Sequence, residues 1–372
     1  VTQDFCIIGG GIAGLSVAAG LASAGRVSLI EREPQLAYHA TGRSAALFIE
    51  SYGNSAIQAL TRASRDFYFN PPTSFSPVPL TTKRGVCYIA TASQRDALKR
   101  AERELSQAGL RYATIDGAEL GRRVPILDGI VGAVVDLDAR DMDVGAIVAG
   151  YRRCFRELGG QVITSAAVES ARFDGDTWTV CAGSHTISSR ILVNAAGAWA
   201  DEVAKLAGAL PLGLQPFRRC AALTDLPPVE GARDWPCVID VDERFYFKPD
   251  AGRLLLSGAE ETRSLPCDAE PDDMELAMAV DRIERVSHLR ITRLTGQWAG
   301  LRTFAPDRTP VIGFDGRVAN FFWFAGLGGY GIQTAPAASQ LAAAQLMGAE
   351  PPTDLAASVR QLAPQRLRDH VG

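Results

Sequence analysis

The sequence predicts an α/β fold: a Rossmann-type nucleotide-binding domain together with a β-rich α+β domain. Three observations predict this. A glycine-rich turn sits between the first apolar run and a small-residue helical stretch. A second glycine-rich turn in the same strand-to-helix setting lies near the C-terminus. Between them, short β-type runs outnumber helical ones. The 372 residues are too many for one ordinary core and enough for two.

The bulk numbers narrow the class. Hydrophobic residues make up 47% and charged residues 22% of the chain, an ordinary globular mix. A net charge of -4 without any Lys/Arg run argues against a nucleic-acid partner. No apolar run reaches the roughly 18–20 residues of a membrane helix, so no transmembrane segment is expected. The chain enters a strand at once, so no signal peptide is expected. Cys6, Cys87, Cys154, Cys181, Cys220, Cys237 and Cys267 are scattered and lack CxxC spacing. That pattern predicts reduced thiols and a cytoplasmic setting. His39, His185, His288 and His370 lie far apart, so no metal site is expected.

The first element is the run Asp4-Phe5-Cys6-Ile7-Ile8, a buried parallel strand by its pattern. It leads into Gly9-Gly10-Gly11-Ile12-Ala13-Gly14, which fits G-x-G-x-x-G, then a helical stretch at 15–24 ended by Gly25. A second strand at 27–30 ends on Glu31. Each part has a mechanical role. Gly9 permits a tight turn, Gly11 lets the backbone approach a pyrophosphate, and Gly14 allows close helix–strand packing. The pyrophosphate then meets the free N–H groups of the helix N-terminus. Glu31 lies near the ~20-residue offset expected for an acid on the ribose hydroxyls, and an acid there disfavours NADP. A lone motif of this kind is weak; its place between strand and helix makes it a dinucleotide site, with FAD and NAD both still open.

Three further segments favour FAD. Residues 38–46 are small and carry one arginine, Arg43, which suits backbone passing close to a ring system. A strand at 191–193 closes on Asn194-Ala195-Ala196-Gly197-Ala198-Trp199. A strand at 321–326 feeds Gly328-Gly329-Tyr330-Gly331-Ile332-Gln333-Thr334, followed by an alanine-rich helix from about 335 to 347. Backbone N–H groups at that helix start can meet a partly negative oxygen, such as C2=O of a reduced flavin. One elongated cofactor accounts for all three.

On these residues the chain resembles the D-amino-acid oxidase, glycine oxidase and sarcosine oxidase superfamily of flavoproteins. It most resembles the bacterial D-amino-acid dehydrogenases, D-arginine dehydrogenase in particular. The matching blocks are 9–14, 31–33, 41–46, 52–53, 193–199, 214–219, 245–250, 298–302 and 328–334, which together span the chain. The resemblance implies an FAD-binding domain made of 1–80, 143–208 and 298–372, and a substrate domain made of 81–142 and 209–297. A helix at 144–158 and strands at 162–164, 172–173 and 178–180 fit the first independently. The second contains strands near 85–91, 220–224, 237–241, 244–248 and 253–256. Its helix runs from Asp272-Asp273 to Val286, with Leu276, Met278, Val280 and Ile283 as its core stripe.

The resemblance also implies FAD contacts from Gly9, Gly11, Ile12, Ala13, Gly14, Glu31, Arg32, Arg43, Ser44, Ala45 and Ala46. Val168, Ala196, Gly197, Trp199, Arg302, Gly331, Ile332 and Gln333 complete the set. For the substrate, planar guanidinium groups bind carboxylates bidentately, and Arg219 and Arg302 stand at the family's carboxylate-binding positions. Arg218 alternates to the other face of its strand. Tyr246 adds a phenol to the carboxylate, and Tyr52 resembles a lid-loop tyrosine. The Gly329 carbonyl accepts from the substrate amine, and Gln333 helps place substrate and flavin. No general base is required: the lone pair of a neutral amine drives hydride loss from Cα to flavin N5.

The sequence departs from the arginine-preferring relatives in the side-chain pocket. Leu47 and Gly85 replace a histidine and a glutamate, and Ile49 replaces a small polar residue. Losing the acid removes a charge-assisted contact worth ~1.5–3 kcal/mol. Glu50 and Arg84 are read as solvated loop charges. The expected reaction is therefore oxidative deamination of D-amino acids with uncharged or apolar side chains, giving a 2-oxo acid and ammonia. The alternatives are oxidation of an N-substituted or secondary amino acid, a basic D-amino acid such as D-arginine as substrate, and a flavin-binding protein without turnover. The motifs leave the electron acceptor open.

Overall fold

The strand Gln3–Ile8 forms because both of its faces find apolar cover: Phe5 and Ile7 enter one core, Cys6 and Ile8 the other. In the computed structural model, which describes residues 1–368, this strand sits inside an eight-stranded sheet. His370 lies outside the described residues. Val27–Ile30 pairs with it in parallel on one side and His185–Asn194 on the other. Gln161–Ile163 extends the first side. The second is extended by the hairpin Val168–Phe173 and Trp178–Ala182, whose turn Asp174 pins by accepting from the Asp176 and Thr177 amides. Phe321–Ala325 joins the end of His185–Asn194 in parallel. Helices Ile12–Leu21, Ser55–Phe69, Val144–Glu157 and Gly331–Leu346 share one core on one face of this sheet.

The second sheet has nine strands, and Gly296–Phe304 pairs with Gln215–Asp225 from one end to the other. The expected boundary at 298 therefore moves: it falls inside a strand whose ladder holds it to this second sheet. The chain returns to the first sheet only beyond Phe304. A small sheet of Leu47–Phe48, Thr81–Lys83 and Arg140–Met142 lies where the expected boundaries at 80 and 143 meet.

Helix Asp273–Glu284 starts where Asp272 accepts from the amides of Met274 and Glu275. It buries Leu276, Ala279 and Ile283. Met278, expected in that stripe, is 41% exposed, because Ala279 takes the core-facing position at i+3 from Leu276. The C-terminal helix begins at Gly331, earlier than expected, so the glycine-rich loop runs directly into its first turn. No described helix is long and apolar enough to cross a membrane. None of the seven cysteines is in a disulfide.

Candidate active site

The first glycine-rich turn is closed by two contacts that tolerate no side chain. Gly9 has φ +107°, and a Cβ there would lie 2.4 Å from the Ala195 carbonyl oxygen. A Cβ on Gly14 would lie 1.9 Å from the Gly9 carbonyl oxygen. Gly11 differs: the nearest atom to its Cβ would be Thr41 Oγ1 at 3.3 Å, so its open side is space left for a ligand. The Thr41 hydroxyl accepts from the Ile12 amide at 3.0 Å. Glu31 is buried and accepts from the Gly10 amide at 2.7 Å and the Glu33 amide at 2.9 Å.

A long cavity runs past this turn. At one end it is lined by Arg32, Val168 and Trp199, with the Arg32 guanidinium 4.6 Å over the Trp199 ring. Glu31 and Gly9, Gly11, Ile12 and Ala13 form one wall, and Arg43, Ser44, Ala45, Ala196 and Gly197 also line it. The far end is built from Arg302, Gly329, Gly331 and Ile332. Gly14, Ala46 and Gln333 lie behind the wall and not on it. The Arg43 guanidinium is spent on Asp268 and on the carbonyls of Ala269 and Ala299 at 3.0 and 2.9 Å. At the far end, helix Gly331–Leu346 has no side-chain cap, which leaves its first N–H groups for a ligand.

The arginines follow from strand register. Phe217 is opposite Arg302, and Arg219 is opposite Gly300. Directly opposed residues and i,i+2 neighbours share a face, so Arg219 and Arg302 are diagonal neighbours facing the cavity. Arg218, opposite Leu301, points the other way and pairs with Asp272 at 2.8 Å. Arg302 Nη1 donates to the Tyr52 phenol oxygen at 3.1 Å, and no carboxylate among the described residues pairs with this arginine. Burial pulls the Arg302 guanidinium down, but the Tyr52 and Tyr246 phenols raise it further, so it stays a cation. A Cβ on Gly329 would stand 2.8 Å from Arg302 Nη1; glycine there lets the guanidinium lie against the backbone. Arg219 is more engaged, donating to the carbonyls of Glu260 at 3.0 Å and Ala259 at 2.7 Å.

Tyr246 lines the cavity. Tyr52 sits beside it, its ring edge-on to Tyr330 at 4.7 Å, and burial pushes the Tyr330 phenol up to about 12. Leu47, Ile49, Tyr52 and Tyr246 meet in one apolar cluster with Tyr88 and Ile239. Gly85 borders it, at φ +75°, and exchanges backbone hydrogen bonds with Ala139 and Cys237. The Gln333 amide is consumed by Ile49 backbone and by Thr61 Oγ1 at 2.9 Å, so it holds Ile49 in place from behind. Glu50 and Arg84 are not solvated loop charges. Glu50 is 6% exposed and paired with Arg65. Arg84 pairs with Asp141 at 2.6 Å and donates to the carbonyls of Arg233 and Trp235. Their partners lie on other strands and helices, which spacing along the chain does not show.

Sequence reasoning missed Thr41 and His39 as individual wall residues. The signal for Thr41 was a helix preceded by glycine, which has no side chain to cap it. His39 lines the cavity, 2.9 Å from Glu33 Oε1, with its ring 4.7 Å from that of Trp199. Away from the cavity, Cys220, Glu260 and Glu275 bring possible ligand atoms within 4.8 Å of one another. Burial pushes the Cys220 thiol up to about 12 and raises the Glu260 carboxyl.

This turn, acid and cavity define a dinucleotide-binding protein. Residues 4–345 match the family described as FAD dependent oxidoreductase, and the chain belongs to that family, with FAD as its cofactor. The bovine (Bos taurus) FAD-dependent oxidoreductase domain-containing protein 1 is 24% identical over 93% of this chain and 81% of its own length. Among solved structures, L-proline dehydrogenase from P. horikoshii superposes with a TM-score of 0.83 at 20% identity, covering 99% of this chain and 98% of that one. Glycine oxidase from Geobacillus kaustophilus gives 0.83 at 20% identity, covering 96% and 98%. The open side of Gly11 and the uncapped helix at Gly331 suit the pyrophosphate and the flavin ring respectively.

Proposed function

We propose that this protein oxidises the C–N bond of an amino acid, with the nine-stranded sheet as its substrate domain and D-amino acids of uncharged side chain as its substrates. The observation that carries the reading is Arg302, a cation facing the cavity beside the Gly328–Gly329 backbone without an acidic partner among the described residues. A cation so placed is matched by a ligand carboxylate.

In this reading, Arg302 grips the substrate carboxylate as a fork, with Arg219 flanking it and the Tyr52 and Tyr246 phenols completing the hydrogen bonds. The Gly329 carbonyl accepts from the amine and aims Cα. When bound, FAD supplies the two-electron acceptor that takes the Cα hydride at N5. The protein's part is orientation and charge complementarity, which suffice once the amine is neutral. The imine leaves and hydrolyses to a 2-oxo acid and ammonia. The cluster of Leu47, Ile49, Tyr88 and Ile239 supports an apolar side chain.

A second reading is a secondary amine as substrate. The single backbone carbonyl of Gly329 takes one N–H and so does not separate primary from secondary amines. The structural likeness to L-proline dehydrogenase points to a secondary amine. An anaerobic screen of D- and L-amino acids, N-methylglycine and D-proline, following loss of the oxidised flavin spectrum, separates the two. D-Leucine and D-methionine reducing the flavin faster than D-arginine supports the first reading. N-Methylglycine or D-proline outrunning them supports the second.

A further inference from the structure

We infer that residues 265–271 form a strap that retains FAD, and that Asp268 is its latch. The segment leaves the nine-stranded sheet at the short strand Thr262–Arg263, which pairs with Gln215–Asp225. It re-enters the same domain at helix Asp273–Glu284, capped by Asp272. Between these ends it reaches the long cavity, where Cys267 and Ala269 form part of the wall. Tyr38, His39 and Arg43, from the nucleotide-binding domain, line the same cavity. The join between the two segments therefore borders the cofactor's own space.

The ends of the strap are fixed by backbone. The Ser264 amide donates to the Pro216 carbonyl at 3.0 Å, and Asp272 accepts from the Met274 and Glu275 amides at 3.0 and 3.2 Å. Its middle is held differently. From 266 to 271 the Ala269 carbonyl is the one backbone group with a hydrogen bond among the described residues, and its donor is Arg43 Nη1 at 3.0 Å. The Asp268 carboxylate accepts from the Tyr38 phenol at 3.1 Å and from Arg43 Nη2, with His39 Nδ1 3.9 Å away.

Arg43 is braced on its own side. Its Nε donates to the Tyr38 carbonyl at 3.3 Å and its Nη1 to the Ala299 carbonyl at 2.9 Å, while its carbonyl accepts from Trp298 Nε1 at 2.9 Å. The fixed half of the latch is thus the nucleotide-binding domain, and the movable half is the strap. Side-chain exposure is 16% for Arg43 and 55% for Asp268, so water reaches the pair and it can part. Pro266 and Pro271 leave the strap fewer conformations to lose when it closes. Asp268 is then a positioning residue: it holds Cys267 and Ala269 against the cofactor's space and slows FAD loss.

The test compares native protein with Asp268→Ala and Asp268→Glu in three measurements. These are FAD release on dilution, followed by flavin fluorescence; labelling of Cys267 by an aromatic disulfide reagent, read by mass spectrometry; and melting of the apoprotein. Cys267 suits this purpose because it is the exposed cysteine of the seven. Asp268→Ala is expected to release FAD about three- to tenfold faster, with apoprotein melting within about 2 °C of native. Asp268→Glu, which keeps the charge, should stay closer to native. Salt should speed release from the native protein more steeply than from Asp268→Ala. Bound FAD should slow Cys267 labelling by about fivefold or more in the native protein and less in Asp268→Ala. Unchanged release in Asp268→Ala overturns the latch. Equal Cys267 labelling with and without FAD overturns the strap, and an Asp268→Ala apoprotein that melts well below native shows a merely structural role and overturns the proposal too.

Discussion

Arg302 Nη1 donates to the Tyr52 phenol oxygen at 3.1 Å, joining residues 250 positions apart. The bond ties the strand Gly296–Phe304 to the loop preceding helix Ser55–Phe69, and it orients the guanidinium fork while leaving its other donors for a ligand. The candidate chemistry depends on this join.

Arg302→Ala is expected to lower kcat/KM for every amino-acid substrate by roughly 10²–10³-fold, the ~3–4 kcal/mol of a truncated buried charge contact. Arg302→Lys should recover only part, because an ammonium group cannot make the planar two-point contact. Tyr52→Phe should cost about 1 kcal/mol, seen mainly in KM. Anaerobic flavin-reduction kinetics measure all three, and native-like turnover in Arg302→Lys would contradict the assignment.

Gly11 and Gly14 should respond differently to one added methyl. Gly14→Ala places Cβ 1.9 Å from the Gly9 carbonyl oxygen, so the turn itself cannot close and the protein should be poorly folded. Gly11→Ala meets only Thr41 Oγ1 at 3.3 Å; it should fold with a native circular dichroism spectrum yet retain little FAD, because its methyl enters the pyrophosphate space. Flavin content after gel filtration is the readout. Full FAD retention in Gly11→Ala would remove the pyrophosphate from that position.

Gly85→Glu tests the side-chain pocket. Its φ of +75° makes any side chain cost about 1–2 kcal/mol of stability, so Gly85→Ala should lose thermal stability equally. Only the glutamate should also move the D-arginine to D-leucine ratio of kcat/KM toward arginine, by ~1–2 kcal/mol. An equal loss of stability with no change in that ratio would place Gly85 outside the pocket.

Asp136 gives a pH signature. It is 1% exposed, and burial pushes its carboxyl from 3.8 up to about 6, against the pull of the Asp138 and Ala139 amides. The folded state therefore holds this proton more tightly than the unfolded chain does. Its favourable contribution is complete below about pH 3.8 and is lost as pH rises through about 6. Asp136→Asn should stabilise the protein by ~1–3 kcal/mol at pH 7.5 and hardly at all at pH 4. Urea midpoints at the two pH values test this; the same gain at both would show that charge is not the cause.

The nucleotide turn was legible from sequence because its demands are local. A positive φ at Gly9 and a backbone contact at Gly14 can be met only by glycine, and the flanking strand and helix announce themselves by period. The separation of Arg218 from Arg219 was legible for the same reason, since alternation along a strand is a property of the backbone. What a side chain is paired with is not local. Glu50, Arg84, Arg43 and Gln333 all looked available, and each is spent on a partner from a distant segment. The edge at 298 was displaced because a strand belongs to whichever neighbour completes its ladder, and Gly296–Phe304 has that neighbour in Gln215–Asp225. The sequence by itself determined the cofactor fold and the candidate arginines, because glycine geometry and strand alternation are written residue by residue. Only the tertiary structure decided that Arg302 has no acidic partner among the described residues while Arg219 lies near Glu261, because charge compensation depends on which distant segments the two sheets bring together.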